Sequence, residues 1–412
     1  MKKSLDDIHK SILKEVSAKN EVRVILDRET IEIDKKRIEV NRRLSNIGGA
    51  FIKEIPLDFF ISGSALGSQL TYLSGNYKVL DLQSYTTTRI YNINEVIRNG
   101  NDLYLTINFS DDPAIFNSII KLGGCFLVNG FLSFKSFNIQ ILPISRIHGS
   151  IFYRGWIYVN NRPLTDSEYH TTIRINKDDL SDIISLQVPN SITWQGQPTD
   201  IIGYKGNIYT ILGKASNTVS YFIKLDLDLI SYSLVFLCGN VSSTKRVRLQ
   251  SPFIIYQDEV YIPTYNNASQ PLAGNSIGIS VYSLTGTILR EIAGITVTTG
   301  NTNRPFPHWF QIFNDKLIMT NSGSTHKWMA RFDKTTLIME EIYNTGLFIT
   351  DDNSIMTNGY IYLNAETVGG IINSQLIKIK YDNFLDIGVE IPIYNGGYGS
   401  YGSINYNHYL DL

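Results

Sequence analysis

The sequence predicts a mainly β chain: a five- or six-bladed β-propeller behind an N-terminal helix and a short β-repeat stalk. Three observations lead there. A turn followed by a paired apolar/aromatic strand start recurs about every fifty residues. A second alternating strand, ending in a polar turn, follows each of the last five copies. Each unit then has room for about four short strands, the content of a propeller blade. A β-sandwich also has many short strands, but it does not demand a second signature at a fixed offset.

The elements follow in chain order. Leu5, Ile8, Ile12, Leu13 and Val16 recur at helical spacing behind Ser4, which suits an N-cap. A helix this short needs a surface for its apolar stripe, either its own domain or copies of itself. Three seven-residue units come next, Val24–Thr30, Ile31–Arg37 and Ile38–Leu44. Each reads apolar, any, apolar, Asp or Asn, then basic. The apolar pair sits two apart, which is strand spacing. A charged coiled coil in a poor register is the alternative. Both readings make residues 1–49 an oligomeric stalk for attachment, closed by the hinge Gly48-Gly49. Residues 50–93 read as a β-rich connector, with a loop at Ser62-Gly63-Ser64-Ala65-Leu66-Gly67-Ser68.

Residues 94–412 carry the repeat. Its first signature is Asn101-Asp102-Leu103-Tyr104, Gly155-Trp156-Ile157-Tyr158, Gly206-Asn207-Ile208-Tyr209, Asp258-Glu259-Val260-Tyr261, Asp315-Lys316-Leu317-Ile318 and Gly359-Tyr360-Ile361-Tyr362. The second is Thr172–Asp178, Phe222–Asp228, Ile279–Gly286, Met329–Thr335 and Leu376–Asn383. The first unit has no good copy of it, which leaves five or six blades. Ser403–Leu410 reads as a last strand that closes the ring on the first blade.

Composition narrows the function classes. Lys and Arg number 37 against 38 Asp and Glu, a formal net charge of -1, which excludes a strongly basic nucleic-acid binder. The chain has 25 Tyr and 19 Phe, a usage that suits recognition surfaces. Cys125 and Cys238 cannot build a disulfide framework or a zinc site between them. Neither a signal peptide nor an 18-residue apolar run is read, so the chain is expected to be made in a cytosol without membrane insertion.

Function on this fold lives in loops. The links between repeats run through 190–198, 240–250, 298–308 and 344–353. With their flanks they carry Trp194, Gln197, Lys245, Arg246, Arg248, Asn303, Arg304, His308, Trp309, Asp351 and Asp352. Trp faces stack on sugar rings, and Arg, Asn, Gln and Asp fix hydroxyls or phosphates. The candidate ligand-binding set is therefore Trp194, Gln197, Arg246, Arg248, Asn303, Arg304, His308, Trp309, Asp351 and Asp352. The opposing reading packs the two Trp between blades and leaves the charges solvated. Enzymatic signals are weak. No His pair has metalloprotease spacing, no nucleophile motif stands in a triad context, and no repeated sialidase Asp-box occurs. Asp111-Asp112 and Asp178-Asp179 suit turns better than an acid/base pair. Asn395–Ser403 is a Gly/Tyr tract without the Gly-Lys-Ser/Thr ending of a phosphate loop. No catalytic residue, cofactor or metal is expected.

A short helix and stalk, a glycine hinge and then a propeller resemble receptor-binding proteins of tailed bacteriophages, particularly phages of low-GC Gram-positive bacteria. The Ile-, Asn-, Lys- and Tyr-rich usage agrees with an AT-rich genome. The resemblance is one of architecture and carries over no residue. It implies a homotrimeric tail-fibre adhesin in the virion, bound to other tail proteins by its N-terminal segment and to a host cell-wall glycan or teichoic acid by its propeller. On length, the chain is expected to lack the C-terminal tower domains that some members carry beyond the propeller. Two other readings stay open: a propeller glycosidase or lyase using Asp351, Asp352 and His308, and a scaffolding propeller that binds another protein.

Overall fold

The computed structural model describes residues between 52 and 395, apart from 55–60, 64–68, 75, 88, 91, 109–116, 129–130, 145–146, 162–169, 189–196, 214–218, 240–245, 248–252, 266–275, 297–306, 322–327, 345–347, 350–354, 358–359, 367–372, 381 and 388–390. The expected helix and stalk (1–49), the Gly/Tyr tract beyond Asn395 and the closing strand 403–410 lie outside the described residues.

The chain divides into two compact units. The smaller comprises Met1–Ile55 and Phe126–Ser133. Its described part is one antiparallel sheet in which β1 (Ile52–Glu54) pairs with a hairpin that interrupts the larger unit in sequence, introduced below.

The larger unit begins with a three-stranded meander of β2 (Ile61–Gly63), β3 (Gln69–Ser74) and β4 (Asn76–Asp81), followed by a 3-10 turn at Leu82–Tyr85. Ser62 and Gly63, expected in a loop, are strand residues paired with Thr71 and Leu70. Short polar residues accept strand geometry once a partner saturates their backbone.

Six sheets of the repeat follow. The first uses β5 (Asn92–Asn99), β6 (Asp102–Asn108), β7 (Asn117–Gly123) and, after the hairpin of β8 (Phe126–Val128) and β9 (Phe131–Ser133), β10 (Ser136–Leu142). The first repeat has its third strand without a copy of the second signature. Strand β7 takes its place, but it runs into Gly123-Gly124 and the inserted hairpin instead of an Asp turn. The hairpin pairs with β1 and places Leu127 opposite Leu132, both buried. The second sheet is β11 (Ile147–Tyr153), β12 (Trp156–Asn161), β13 (His170–Asn176) and β14 (Ile183–Val188). The third is β15 (Gln197–Tyr204), β16 (Asn207–Gly213), β17 (Val219–Leu225) and β18 (Tyr232–Gly239).

The fourth sheet has a first strand in two pieces, β19 (Arg246–Val247) and β20 (Ile254–Tyr256), both paired with β21 (Glu259–Tyr265). β22 (Ser276–Ser283) and β23 (Ile288–Thr296) complete it. The fifth is β24 (Pro307–Phe313), β25 (Lys316–Asn321), β26 (Trp328–Asp333) and β27 (Met339–Asn344). In the sixth, β28 (Phe348–Ile349) and β29 (Ile355–Thr357) share β30 (Tyr360–Glu366), while β32 (Asn383–Ile387) and β33 (Ile391–Asn395) both pair with β31 (Asn373–Lys380). Every pairing is antiparallel. First strands of successive sheets pack against each other, β5 on β11, β11 on β15, β15 on β20 and β20 on β24. This is a β-propeller of four-position blades.

Stacking explains the burial pattern. A sheet covered on both faces buries both sides of its inner strands. Strand β7 is buried throughout, and β12 and β13 nearly so, while most residues of the outermost strands β10 and β14 are half-buried or exposed. Alternate residues feed alternate cores: Ile201 packs towards the second blade with Tyr153 and Tyr158, whereas Ile202 packs towards the fourth with Phe253 and Val260. Between the third and fourth blades Tyr209, Phe222, Phe236 and Tyr282 stack in sequence, with centroids 5.4, 4.6 and 4.8 Å apart. Cys125 and Cys238 are buried free thiols.

Candidate functional site

The strand order gives each blade two unlike edges. On one lie the turns between first and second strands and between third and fourth. The first kind is a two-residue turn with positive φ at both positions: Arg154-Gly155, Lys205-Gly206, Gln257-Asp258 and Asn314-Asp315. That is the turn whose twist matches a hairpin. The second kind is organised by an Asp or Asn side chain. Asn176 Oδ1 accepts the Asp178 amide, and Asp226 accepts the Ile230 and Ser231 amides. Asp333 accepts those of Thr335 and Thr336; the Thr336 amide is the first cause that holds its carboxyl at about 2. Leu180, Leu229 and Leu337 take positive φ in these turns and are buried. Asp178-Asp179 is a turn pair here, as its residue types predict.

This turn edge is latched from blade to blade. Tyr104 Oη donates to the Lys177 carbonyl of the next blade (3.0 Å), and Lys121 Nζ donates to the same carbonyl (2.9 Å). One blade on, Tyr158 Oη (2.9 Å) and Arg174 Nη1 (3.1 Å) share the Leu227 carbonyl. Arg174 also pairs with Asp228 and lies 4.1 Å over the Trp156 ring. Burial pushes the Tyr158 hydroxyl up to about 12. Tyr153 Oη accepts the Gly206 amide, Tyr204 Oη accepts the Asp258 amide, and Lys205 pairs with Asp258. The signature tyrosines Tyr104 and Tyr158, and Tyr153 and Tyr204 of the first strands, are therefore pegs between blades.

The opposite edge is different. Segments 109–116, 162–169, 214–218, 266–275, 322–327 and 367–372 join second to third strands there. The links 189–196, 240–245 and 297–306 join one blade to the next. The expected binding residues belong to these links and the strand ends beside them. Gln197 opens β15 opposite Gly213, Arg246 opens β19 opposite Tyr265, and His308 and Trp309 lie in β24. Trp194, Arg248, Asn303, Arg304, Asp351 and Asp352 lie outside the described residues.

A feature not foreseen recurs beside this loop edge. Four first strands carry a β-bulge at the same height. In β5, Asn94 is inserted between Ile93, paired with Ile107, and Glu95, paired with Thr106. In β11, His148 is inserted between Ile147, opposite Asn161, and Gly149, opposite Asn160. In β15, Thr199 and Asp200 together face Ile211. In β24, His308 is inserted between Pro307 and Trp309, opposite Asn321 and Thr320. Thr106, Asn160, Ile211 and Thr320 stand two residues after the aligned Tyr104, Tyr158, Tyr209 and Ile318, so the bulges are equivalent. In the fourth blade Ile262 and Pro263 sit where β19 gives way to β20, and Pro263 has no amide for the ladder.

Below the bulges the blades are polar inside. Ser150 of the second blade donates to Glu95 of the first. Thr172 Oγ1 donates to Asn160 Oδ1 (2.8 Å), Asn160 Nδ2 reaches Thr210 Oγ1 (3.1 Å), and His170 Nε2 is 3.4 Å from Thr172 Oγ1. All four residues are fully buried. Thr106 and Thr320 are buried as well, and their Oγ1 atoms have no hydrogen-bond partner among the described residues. Asn94, Glu95, His148, Thr199 and Asp200 were not expected in a site. One sequence signal was available: buried Ile93 and Val96 share a face although they stand three apart, which an unbroken strand forbids. Among the described residues, no group of three or more His, Cys, Asp or Glu side chains could hold a metal ion. No described helix is long and apolar enough to cross a membrane.

No family model matches the chain, and no curated protein matches it. Among solved structures it is similar to apo AztD from Citrobacter koseri, with 10% identity, 84% of this chain and 98% of that one covered, and a TM-score of 0.44. It is also similar to BamB from Moraxella catarrhalis, with 11% identity, 82% and 89% covered, and a TM-score of 0.42. The dihydro-heme d1 dehydrogenase NirN is a third, with 12% identity, 84% and 75% covered, and a TM-score of 0.45.

Proposed function

We propose that this chain is a receptor-binding adhesin of the tailed-bacteriophage kind, which holds a cell-surface glycopolymer on the loop edge of its propeller. The observation that supports this most is the inequality of the two edges. One edge is closed by two-residue turns, Asp-organised turns and hydrogen bonds from blade to blade. The other carries the longer segments and the row of bulges. Apart from the β8–β9 hairpin inserted on the first blade's turn edge, the array keeps its longer connections on one side, which suits a binding platform. The seven-residue units before Gly49 suit a stalk that joins copies, so several weak sites act together on a repetitive polymer.

The test uses the labelled full-length chain on walls of a panel of low-GC Gram-positive bacteria, before and after chemical removal of their surface glycans. Binding to a subset of strains, abolished by glycan removal, is the expected result. Binding that survives glycan removal, or none to any wall, overturns the reading. The mass in solution of the full chain beside one starting at Gly49 tests the stalk: a trimer that becomes a monomer is expected.

A further inference from the structure

We propose that the meander β2–β4 is a further blade of the propeller, short of its outer strand, and that residues 403–410 of the same chain fill the vacant position by pairing with the outer edge of β4. No ligand enters the inference, so it stands or falls apart from the adhesin reading.

A covered face carries the first step. Leu103, Leu105 and Ile107 of β6, with Ile120 and Leu122 of β7, are fully buried. They alternate along their strands with Tyr104 and Ile119, which pack towards the second blade. Large apolar side chains on the face turned away from the second blade need another covering sheet. The meander is in place to provide it. Strand β2 packs against β5, as β5 packs on β11 and β11 on β15. Leu70 of β3 and Leu82 just beyond β4 are fully buried too. With β2 in the first position, and β2, β3 and β4 hydrogen-bonded in that order, β4 is a third strand.

The fourth position is where the meander differs. Each of the six repeat sheets fills it, with β10, β14, β18, β23, β27 and the pair β32 and β33. Beside β4 no strand stands among the described residues, because the chain leaves β4 through the 3-10 turn and crosses directly to β5. Gln83 pins that crossing: its Oε1 accepts the Ile90 amide (2.9 Å) and its Nε2 donates to the Thr86 carbonyl (3.0 Å). Tyr85 of the crossing stacks on Phe137 of β10 at 5.6 Å, while Ile141 on the same face of β10 is 54% exposed. A third strand without a fourth turns alternate amides and carbonyls of Tyr77–Leu80 outward, a template that takes another strand.

Residues 403–410 suit that template. Ser403-Ile404-Asn405-Tyr406-Asn407-His408-Tyr409-Leu410 begins with strict polar/apolar alternation and holds no Pro, Lys, Arg, Asp or Glu. It follows the sixth sheet in the chain, when the first three places of the meander are already taken. An extended strand there would put Ile404, Tyr406 and Leu410 on one face, matching the apolar Phe137, Ile139 and Ile141 of β10. The first blade, expected from the sequence to receive this strand, already has β10 in its fourth position.

The test uses the full-length chain carrying Val79→Cys and a second cysteine placed singly at each of residues 403–410. Cys125 and Cys238 are buried and stay out of the exchange. Under mild oxidation we expect a disulfide within one chain at about one or two adjoining positions, because facing strand residues come within disulfide reach. Disulfides between chains only would give the edge to a second copy and overturn the proposal. So would no disulfide at any position in chains that thermal unfolding shows to be folded. Hydrogen exchange of the unaltered protein is a second reading that needs no variant to fold. Both alternate sets of amides in Tyr77–Leu80 should be protected, and Tyr406→Pro should speed the outward set roughly tenfold or more. An outward set that already exchanges as fast as an open edge in the parent overturns the proposal.

Discussion

Replacing Gly203 by alanine tests how tightly neighbouring blades are fitted. Gly203 lies in β15, facing the second blade. A Cβ there would fall 2.7 Å from Cδ1 of Tyr153 and closer still to Cγ and Cδ2. The ring cannot swing away freely, because Tyr153 is 4% exposed and its hydroxyl holds the Gly206 amide at 2.9 Å. Forcing a methyl group into such a contact costs about 1–3 kcal/mol. The backbone of Gly203 is not left-handed, so alanine by itself would stabilise by about 0.4–1 kcal/mol through the unfolded chain. The net expectation is a loss of about 0–2.6 kcal/mol. The assay is the chemical-denaturation midpoint in a double-mutant cycle with Tyr153→Ala, which alone loses about 3–5 kcal/mol. In that background the clash is gone, and Gly203→Ala should be neutral or stabilising. Equal destabilisation in both backgrounds would refute the reasoning, and so would a single variant more stable than the parent.

Other outcomes follow from the turn edge. Tyr158→Phe should cost about 0.5–1.5 kcal/mol, and Tyr158→Phe with Arg174→Met more than the two singles summed, because each donor covers the Leu227 carbonyl in the other's absence; additive midpoints would contradict the shared acceptor. Leu337 has φ +58 and is 1% exposed, so Leu337→Ala should lose about 2–4 kcal/mol of burial while Leu337→Gly, relieved of left-handed strain, unfolds no earlier than Leu337→Ala. The Asp333 carboxyl titrates at about 2, below its unfolded value near 4, so the stability it adds is present above pH of about 4 and drains as pH falls towards 2. Asp333→Asn should flatten the stability curve across that window, and an unchanged slope would count against the turn's role.

How much of this was legible depended on whether a signal repeats locally. The pairs Leu103-Tyr104, Ile157-Tyr158, Ile208-Tyr209 and Val260-Tyr261 sit at the start of second strands, and all eight residues are buried. Their spacing was enough to find the blades. The tyrosines' partners were not legible, because Tyr104 binds a main-chain carbonyl at Lys177, and a carbonyl leaves no mark in sequence. The first repeat hid its third strand because Gly123-Gly124 and a hairpin replaced the polar turn. The bulges were not legible because register is set by pairing with the next strand, which composition does not carry. Of the expected binding residues, His308 and Trp309 fall in a bulge, Gln197 stands two residues before one, and Arg246 opens the split strand of the fourth blade; the basic and Trp residues of the links drew attention first because their types are conspicuous.

The latches between blades also bear on how such a chain can change over generations. Lys121, Tyr104, Arg174 and Tyr158 all grip main-chain oxygens of the following blade. A carbonyl is present whichever residue occupies the position, as Lys177 in one blade and Leu227 in the next illustrate. A duplicated unit can therefore drift almost everywhere on the receiving side and still be held by its neighbour. That tolerance accounts for repeats that keep their spacing while sharing few residues, and it lets each unit acquire its own loops without renegotiating the joint.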